Sequence, residues 1–363
     1  MSTSLRADLH VHTCHSRQSG TLPFLGSRDC YSRPADVYRV ARARGMDLVC
    51  VTDHDSIDGG LELLDQHPDD ETVIVGEEIT CRLPDGDVEV HIAAYDMTEA
   101  LHRDVQHLRG NVFDVTGRLR QAGVFFALNH LLHFYRHQLP LHRYLELMNE
   151  VPALEVRNGT MVPAHNELCE RLVASQRPMP GLPPSPQRGF GGTRKPRPTR
   201  NGQLGGPHIA PLGAIGGSDA HTLRRVGTTW TEAPGTTRAE FLSSLKRGLG
   251  RPGGVHGGTL PVAGDAYGVV ARYVAALAGF GPQDVRSWRR AGCLAFSVVS
   301  LPFQFSPLLV AKARKSAERR IVREVSTALD APPSLLRSFG EAGFRSSPEP
   351  RVPSPETEAG VTS

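Results

Sequence analysis

The feature that most constrains this chain is a recurrence. Across roughly its first 230 residues, short apolar runs alternate with helix-like stretches, and nearly every run ends in an imidazole or a carboxylate. The runs are DLHVH at 8–12, MDLVCVT at 46–52, ETVIVGEEITC at 71–81, VEVHIAAY at 88–95, VFFALN at 124–129, ALEVRN at 153–158 and PLGAIGG at 211–217. Runs that are apolar almost throughout are typical of parallel strands buried on both faces. LPDGD, between the third and fourth runs, favours a tight turn, so those two are expected to form a hairpin rather than a crossover. Helices are expected at 34–45, with Pro34 in the first turn and Gly45 as the cap, and as one long helix over 98–122 ended by Gly123. Two more are expected at roughly 139–149 and 163–175. Seven strands in such an alternation are enough to close an α/β barrel.

The polar residues fall where such a barrel would gather them. His10 and His12 are two apart, so on a strand both project to one face. His54 follows MDLVCVT in T-D-H-D, Glu78 lies near the end of VIVGEEIT, His91 is inside VEVHIAAY, and His130 follows VFFALN. Asp219 and His221 follow PLGAIGG in G-S-D-A-H. Strand C-terminal ends converge on one face of a barrel, so groups far apart in sequence can meet there. Six imidazoles and two carboxylates exceed what one tetrahedral zinc can use, and they suit two or three divalent ions (manganese, zinc or iron) with mixed nitrogen and oxygen ligands. His67, His102, His107 and His256 read as ordinary surface residues.

The motifs D-L-H-V-H-T, V-T-D-H-D, G-E-E-I-T, E-V-H, N-H and G-G-S-D-A-H-T, in this order, resemble the PHP (polymerase and histidinol phosphatase) superfamily over roughly residues 5–230. The resemblance implies a distorted seven-stranded β/α (TIM-like) barrel with a metal cluster, usually trinuclear, at the strand C-terminal face, and hydrolysis of phosphate esters. Carried over by position, the metal ligands would be His10, His12, His54, Glu78, His91, His130, Asp219 and His221, with Glu78 bridging two metals. One motif departs from the pattern. The family commonly has an Asp five residues after the second His of H-x-H. Here Arg17 holds that place and an insertion through Tyr31 follows, so the ligand comes from His15, from Asp29 or from neither.

In this reading a metal-bound hydroxide attacks the phosphate ester, because metals neutralise phosphoryl oxygens and bring the pKa of bound water to about 7. His54, Asp53 and Arg157 are the candidate catalytic residues. Asp53 beside His54, and Asp8 beside His10, would either orient an imidazole as hydrogen-bond acceptors or serve as simple caps. Arg157, directly after a strand in E-V-R-N-G-T, has the fork that suits a phosphate, with Arg224, Arg225 and Arg17 next in line. His133 and His137 share a helix face after His130 and would either protonate a leaving group or lie on the helix surface.

Residues 1–235 thus read as a metal-dependent phosphoesterase domain, 236–330 as a helical C-terminal region, and 331–363 as a disordered tail. Residues 176–207, rich in Pro, Gly and Arg, read as a disordered insertion. A net charge of +3 over 363 residues gives no support for a long nucleic-acid track. The partner expected is a phosphorylated small molecule or nucleotide. The apolar stretch 291–311 is interrupted by Pro302, Gln304 and Pro307, so a buried or surface-docked helix is expected there rather than a membrane span. Six scattered cysteines with no CxxC pair, and no basic-then-apolar leader, suggest reduced thiols and a cytoplasmic location. Two alternatives stand beside the phosphoesterase. One is an amidohydrolase-like metal hydrolase, weakened because no Lys precedes Lys195. The other is a non-catalytic metal-binding module with a partner-binding helical tail.

Overall fold

The computed structural model describes residues 3–17, 28–84 except 69, 88–133, 139, 141–176, 212–277 and 306–330, with the isolated positions 291 and 295. Seven strands form the barrel: β1 (Ser4–Asp8), β2 (Leu48–Val51), β3 (Val73–Arg82), β4 (Glu89–Tyr95), β5 (Phe125–Leu128), β6 (Ala153–Asn158) and β7 (Gly213–Gly217). β1–β2–β3 pair in parallel, as do β5–β6–β7. β4 runs antiparallel to both β3 and β5, so the hairpin expected at LPDGD forms and the barrel is distorted by one reversed strand. The ring closes beyond the ends of β1 and β7. Val11 bridges Ala220 in parallel, His12 N–H donates to the Ala220 carbonyl at 3.0 Å, and Ala220 N–H donates to the His10 carbonyl at 3.2 Å.

Two apolar layers hold this ring. Alternate strand residues point inward, where Leu9, Leu48, Cys50, Ile74, Tyr95, Phe125 and Ile215 fill the barrel. The others, including Ile79, Ile92, Leu128 and Leu154, face the surrounding helices. Those helices are α1 (Pro34–Ala43), α2 (Asp58–Gln66), α3 (Glu99–Leu108), α4 (Val112–Ala122), α5 (Leu141–Glu150) and α6 (Pro163–Gln176).

Three features differ from the sequence expectations. The single helix over 98–122 is two: Thr98 caps α3 by accepting from Leu101 N–H, and Asn111 caps α4 by accepting from Phe113 N–H, so the chain breaks at Gly110–Asn111. The short helix α2 follows the T-D-H-D strand. An antiparallel pair, β8 (Thr229–Pro234) and β9 (Arg251–Gly254), joined through a helix, adds to the outer edge of β1, raising the described strands to nine.

After β8 come α7 (Arg238–Lys246), α8 (Thr259–Leu277) and α9 (Ser306–Asp330). No described helix is long and apolar enough to cross a membrane. Most of the 291–311 stretch, nearly all of the 176–207 insertion and the whole 331–363 tail lie outside the described residues. Among the described cysteines, Cys14, Cys30, Cys50, Cys81 and Cys169 form no disulfide.

Candidate metal centre

All eight side chains singled out from the sequence meet at one end of the barrel. Parallel strands bring their C-terminal ends there, and the reversal of β4 brings its beginning to the same end, which is how His91, opposite Thr80 of β3, joins the group. Glu78 is central and buried. Its Oε2 lies 3.1 Å from His10 Nε2, 3.3 Å from His12 Nε2 and 3.3 Å from His54 Nδ1. Its Oε1 lies 3.1 Å from His91 Nδ1 and 3.1 Å from His130 Nε2, and accepts from Asn129 Nδ2 at 2.9 Å. Asp219 Oδ1 lies 3.5 Å from His12 Nε2, 3.6 Å from His10 Nε2 and 3.5 Å from His221 Nδ1.

The insertion completes the set. Asp29 Oδ2 lies 3.5 Å from His221 Nε2 and 3.8 Å from His54 Nε2, whereas His15 turns away to Glu62 at 2.6 Å. Of the sources considered for the ligand displaced by Arg17, the structure brings in Asp29. Arg17 itself lies at the rim, 3.4 Å from Asp58.

These separations are those of atoms that share a cation. Two ligands each about 2.1 Å from one ion at a tetrahedral angle stand about 3.4 Å apart. Four overlapping groups bring such atoms within 4.8 Å of one another: His12–Asp29–His54–His221, His10–Glu78–His130, His10–His12–Asp219 and His54–Glu78–His91. Both ring nitrogens of His12, Nδ1 of His54 and Oδ1 of Asp29 are buried without a hydrogen-bond partner, an arrangement that is costly unless something else satisfies them. A cation does so. The donors are nitrogen and oxygen. The nearby thiol of Cys30 instead donates to the carbonyls of His12 and His221, at 3.2 and 3.3 Å.

The electrostatics agree. Burial disfavours ionisation of Glu78 and Asp219, yet the surrounding imidazoles outweigh it and hold both carboxyls well below the usual range. Burial also disfavours charged imidazoles, and for His12 and His54 it wins. For His91 it is overcome by Glu78 and Glu89, and for His221 by Asp29 and Asp219, which push these rings up to about 10 and about 9. Without a cation the carboxylates draw protons onto these rings, and a divalent ion would replace those protons.

Other expected residues lie elsewhere. Asp53 accepts from Thr13 N–H at 2.5 Å and Thr13 Oγ1 at 2.7 Å, so it anchors the loop after β1 and touches no ligand imidazole. Asp8 likewise accepts from Ser218 N–H and Gly227 N–H at 2.8 and 2.7 Å. Arg157 pairs with Glu170 of α6 at 2.7 Å. A bulge between Glu155 and Arg157 shifts the strand alternation by one, sending Arg157 towards α6 and Asn158 inward, where its Nδ2 lies 3.3 Å from Asp219 Oδ2. Arg225 is buried, with Nε 3.1 Å from Asp265, while Arg224 is exposed. His133 lies beside His130, and His137 is outside the described residues. His102 is not a simple surface residue, since its Nδ1 is 2.9 Å from the buried Glu77.

Glu155 escaped the sequence reading. It bonds His10 Nδ1 at 2.9 Å and accepts from His130 N–H at 3.0 Å and Asn158 Nδ2 at 2.9 Å. The available signal was a lone acid in the apolar strand ALEVRN.

Residues 210–249, which include Asp219 and His221, match the family model described as PHP-associated. A segment of 58 residues is 38% identical to an uncharacterized protein of Methanocaldococcus jannaschii, covering 16% of this chain and 33% of that relative, so the match spans about a third of the relative's length. Among solved structures, a two-domain protein from Bacteroides vulgatus containing a predicted PHP-like metal-dependent phosphoesterase is similar at TM-score 0.43 and 16% identity, over 74% of this chain and 70% of that one. A lesion-specific endonuclease from Pyrococcus furiosus is similar at TM-score 0.41 and 12% identity, over 93% and 88% of the two chains.

Proposed function

The family match supports assignment of the chain to the PHP superfamily, and from that premise we propose that it is a metal-dependent phosphoesterase acting on a phosphorylated small molecule or nucleotide. The observation that carries this reading is Glu78, whose two oxygens face separate sets of imidazoles at 3.1 to 3.3 Å. That is the arrangement of a carboxylate shared between cations.

In this proposal His10, His12, His54, Glu78, His91, His130, Asp219, His221 and Asp29 hold two or three divalent ions, manganese, zinc or iron. Bound there, such ions supply Lewis acidity for phosphoryl oxygens and acidify a water towards neutral pH. The chain's own residues do the rest. Glu155 fixes the tautomer of His10 by taking its Nδ1–H. Asn158 and Thr160 orient Asp219 through its Oδ2, at 3.3 and 2.9 Å. His10 and His12, just beyond β1, and Glu78 on β3 are almost wholly buried, and His221 is the most exposed of the candidate ligands. Arg17, whose N–H donates to the His54 carbonyl at 3.0 Å, is the candidate rim cation for the substrate. In the proposal the phosphoesterase unit is residues 1–235, and 236–330, its described elements helical apart from β9, is its C-terminal region.

The test is a phosphomonoester assay with added manganese, comparing the full chain with a His10→Ala/His12→Ala variant. The proposal expects metal-dependent release of phosphate that the variant loses. Equal rates in the two proteins would contradict it.

A further inference from the structure

The last described helix reaches the loop after β6, next to the loop that carries His130. α9 packs against α6: Val322 and Val325 enter the helix-facing core, and Arg171 of α6 meets Asp330 at 2.8 Å. α9 also carries an ion pair in the interior, Lys315 Nζ to Glu318 Oε2 at 2.6 Å, with side chains 3% and 2% exposed. Glu318 Oε1 accepts from Val162 N–H at 2.8 Å, in the loop between β6 and α6, and lies 3.6 Å from His165 Nδ1. His165 Nε2 in turn accepts from Leu132 N–H at 3.4 Å, two residues beyond His130. Burial, reinforced by His130 and Lys315, pushes the His165 imidazole down to about 3, so the ring is neutral and can accept that bond.

His130 needs such support. Its backbone sits at φ 27°, in the left-handed region, which persists in a non-glycine residue only where the surroundings over-determine it. Its N–H is held by Glu155, its carbonyl accepts from His133 N–H at 2.8 Å, and Leu132 is held by His165. A buried ion pair adds little stability over apolar residues of the same size, so stability alone does not account for Lys315 and Glu318.

We propose that Glu318, with Lys315 as its counter-ion, is a positioning residue for the metal centre: α9 clasps the loops after β5 and β6 through Val162 and His165, and so holds His130 towards Glu78. The inference rests on the metal-binding reading of the site and assigns the C-terminal helix to it.

The test uses the full chain with Lys315→Met/Glu318→Ala and Lys315→Met/Glu318→Gln. Neither leaves an unpaired buried charge, and the amide oxygen of the second still accepts from Val162. Manganese affinity is measured by calorimetry, and melting of the metal-free proteins is followed alongside. The Ala variant strips the Val162 N–H of its acceptor and is expected to melt somewhat lower without metal. It is also expected to bind manganese about 10- to 100-fold more weakly, with the Gln variant restored to within about threefold. Wild-type affinity in the Ala variant, or equal loss in both, would overturn the proposal. Hydrogen exchange on the wild-type chain without metal tests the clasp independently of any variant. Leu132 and Val162 should exchange as slowly as the interior of α9, and exchange more than about 100-fold faster would overturn it. If the wild-type chain binds no manganese, the functional reading fails, while the exchange result still decides the clasp.

Discussion

His10 is gripped by a carboxylate on each side: its Nδ1 lies 2.9 Å from Glu155 Oε1 and its Nε2 lies 3.1 Å from Glu78 Oε2. One carboxylate sets the ring's tautomer and the other shares its place in the cluster. The same Glu155 accepts from His130 N–H, so one buried acid orients ligands from two strands.

Replacing Glu155 with Ala should therefore loosen two ligands at once. Metal affinity measured by calorimetry is expected to fall about 10- to 100-fold, with Glu155→Gln intermediate because its amide can still hydrogen-bond to His10. Unchanged affinity in Glu155→Ala would mean that His10 is held by other means.

Asp29 makes the group with His12, His54 and His221. Asp29→Ala should lower the metal bound per chain by about one ion, read by elemental analysis, and leave the ions around Glu78 in place. Arg17→Ala should leave metal content unchanged and raise KM for the phosphoester, since the guanidinium lies at the rim beside Asp58 and Arg17 meets His54 through its backbone N–H, which alanine keeps. Full metal content in Asp29→Ala would return the displaced ligand to another source.

The pH dependence has a definite sign. His91 and His221 have folded-state pKa values of about 10 and about 9, above the ordinary 6.5. Their stabilising contribution is fully present below 6.5 and lost as pH rises through 9 and 10. Burial raises Asp53 to about 7, which acts in the same direction up to that pH. The metal-free protein should melt at progressively lower temperature from about pH 6.5 to 9, while the gain in melting temperature on adding manganese widens, because ligation needs neutral rings. A metal-free melting temperature that stays flat or rises over this window would contradict the charge assignment.

Where β7 meets β1 there is no room for a side chain. A Cβ on Gly217 would stand 2.3 Å from His10 Cβ and 2.6 Å from His10 N. Gly217→Ala should cost about 1–3 kcal/mol in urea unfolding and displace His10, weakening metal binding in the same variant. Wild-type stability would show that the strands can separate there.

Much of the site was legible because each ligand is a local event, an imidazole or acid at the end of an apolar run. The rest depended on geometry that no run contains. The bulge in β6 turned Arg157 out to Glu170 and Asn158 inward. Asp8 and Asp53 sit beside ligands in sequence, but their side chains satisfy backbone N–H groups. In the fold, the break at Gly110–Asn111 was hidden inside a continuous helical pattern. The β8–β9 pair was hidden because Arg251–Gly254 reads R-P-G-G, three of its four residues weak strand formers, and lies beyond a helix from β8. The bond from Val162 to Glu318 joins residues 156 positions apart, beyond the reach of any sequence window.

The most direct measurement is anomalous diffraction from crystals of the full chain grown with manganese. The account predicts at least two peaks, each within about 2.0–2.3 Å of ligand atoms, one on either side of the Glu78 carboxylate. Density for manganese elsewhere, with none beside Glu78, would contradict it.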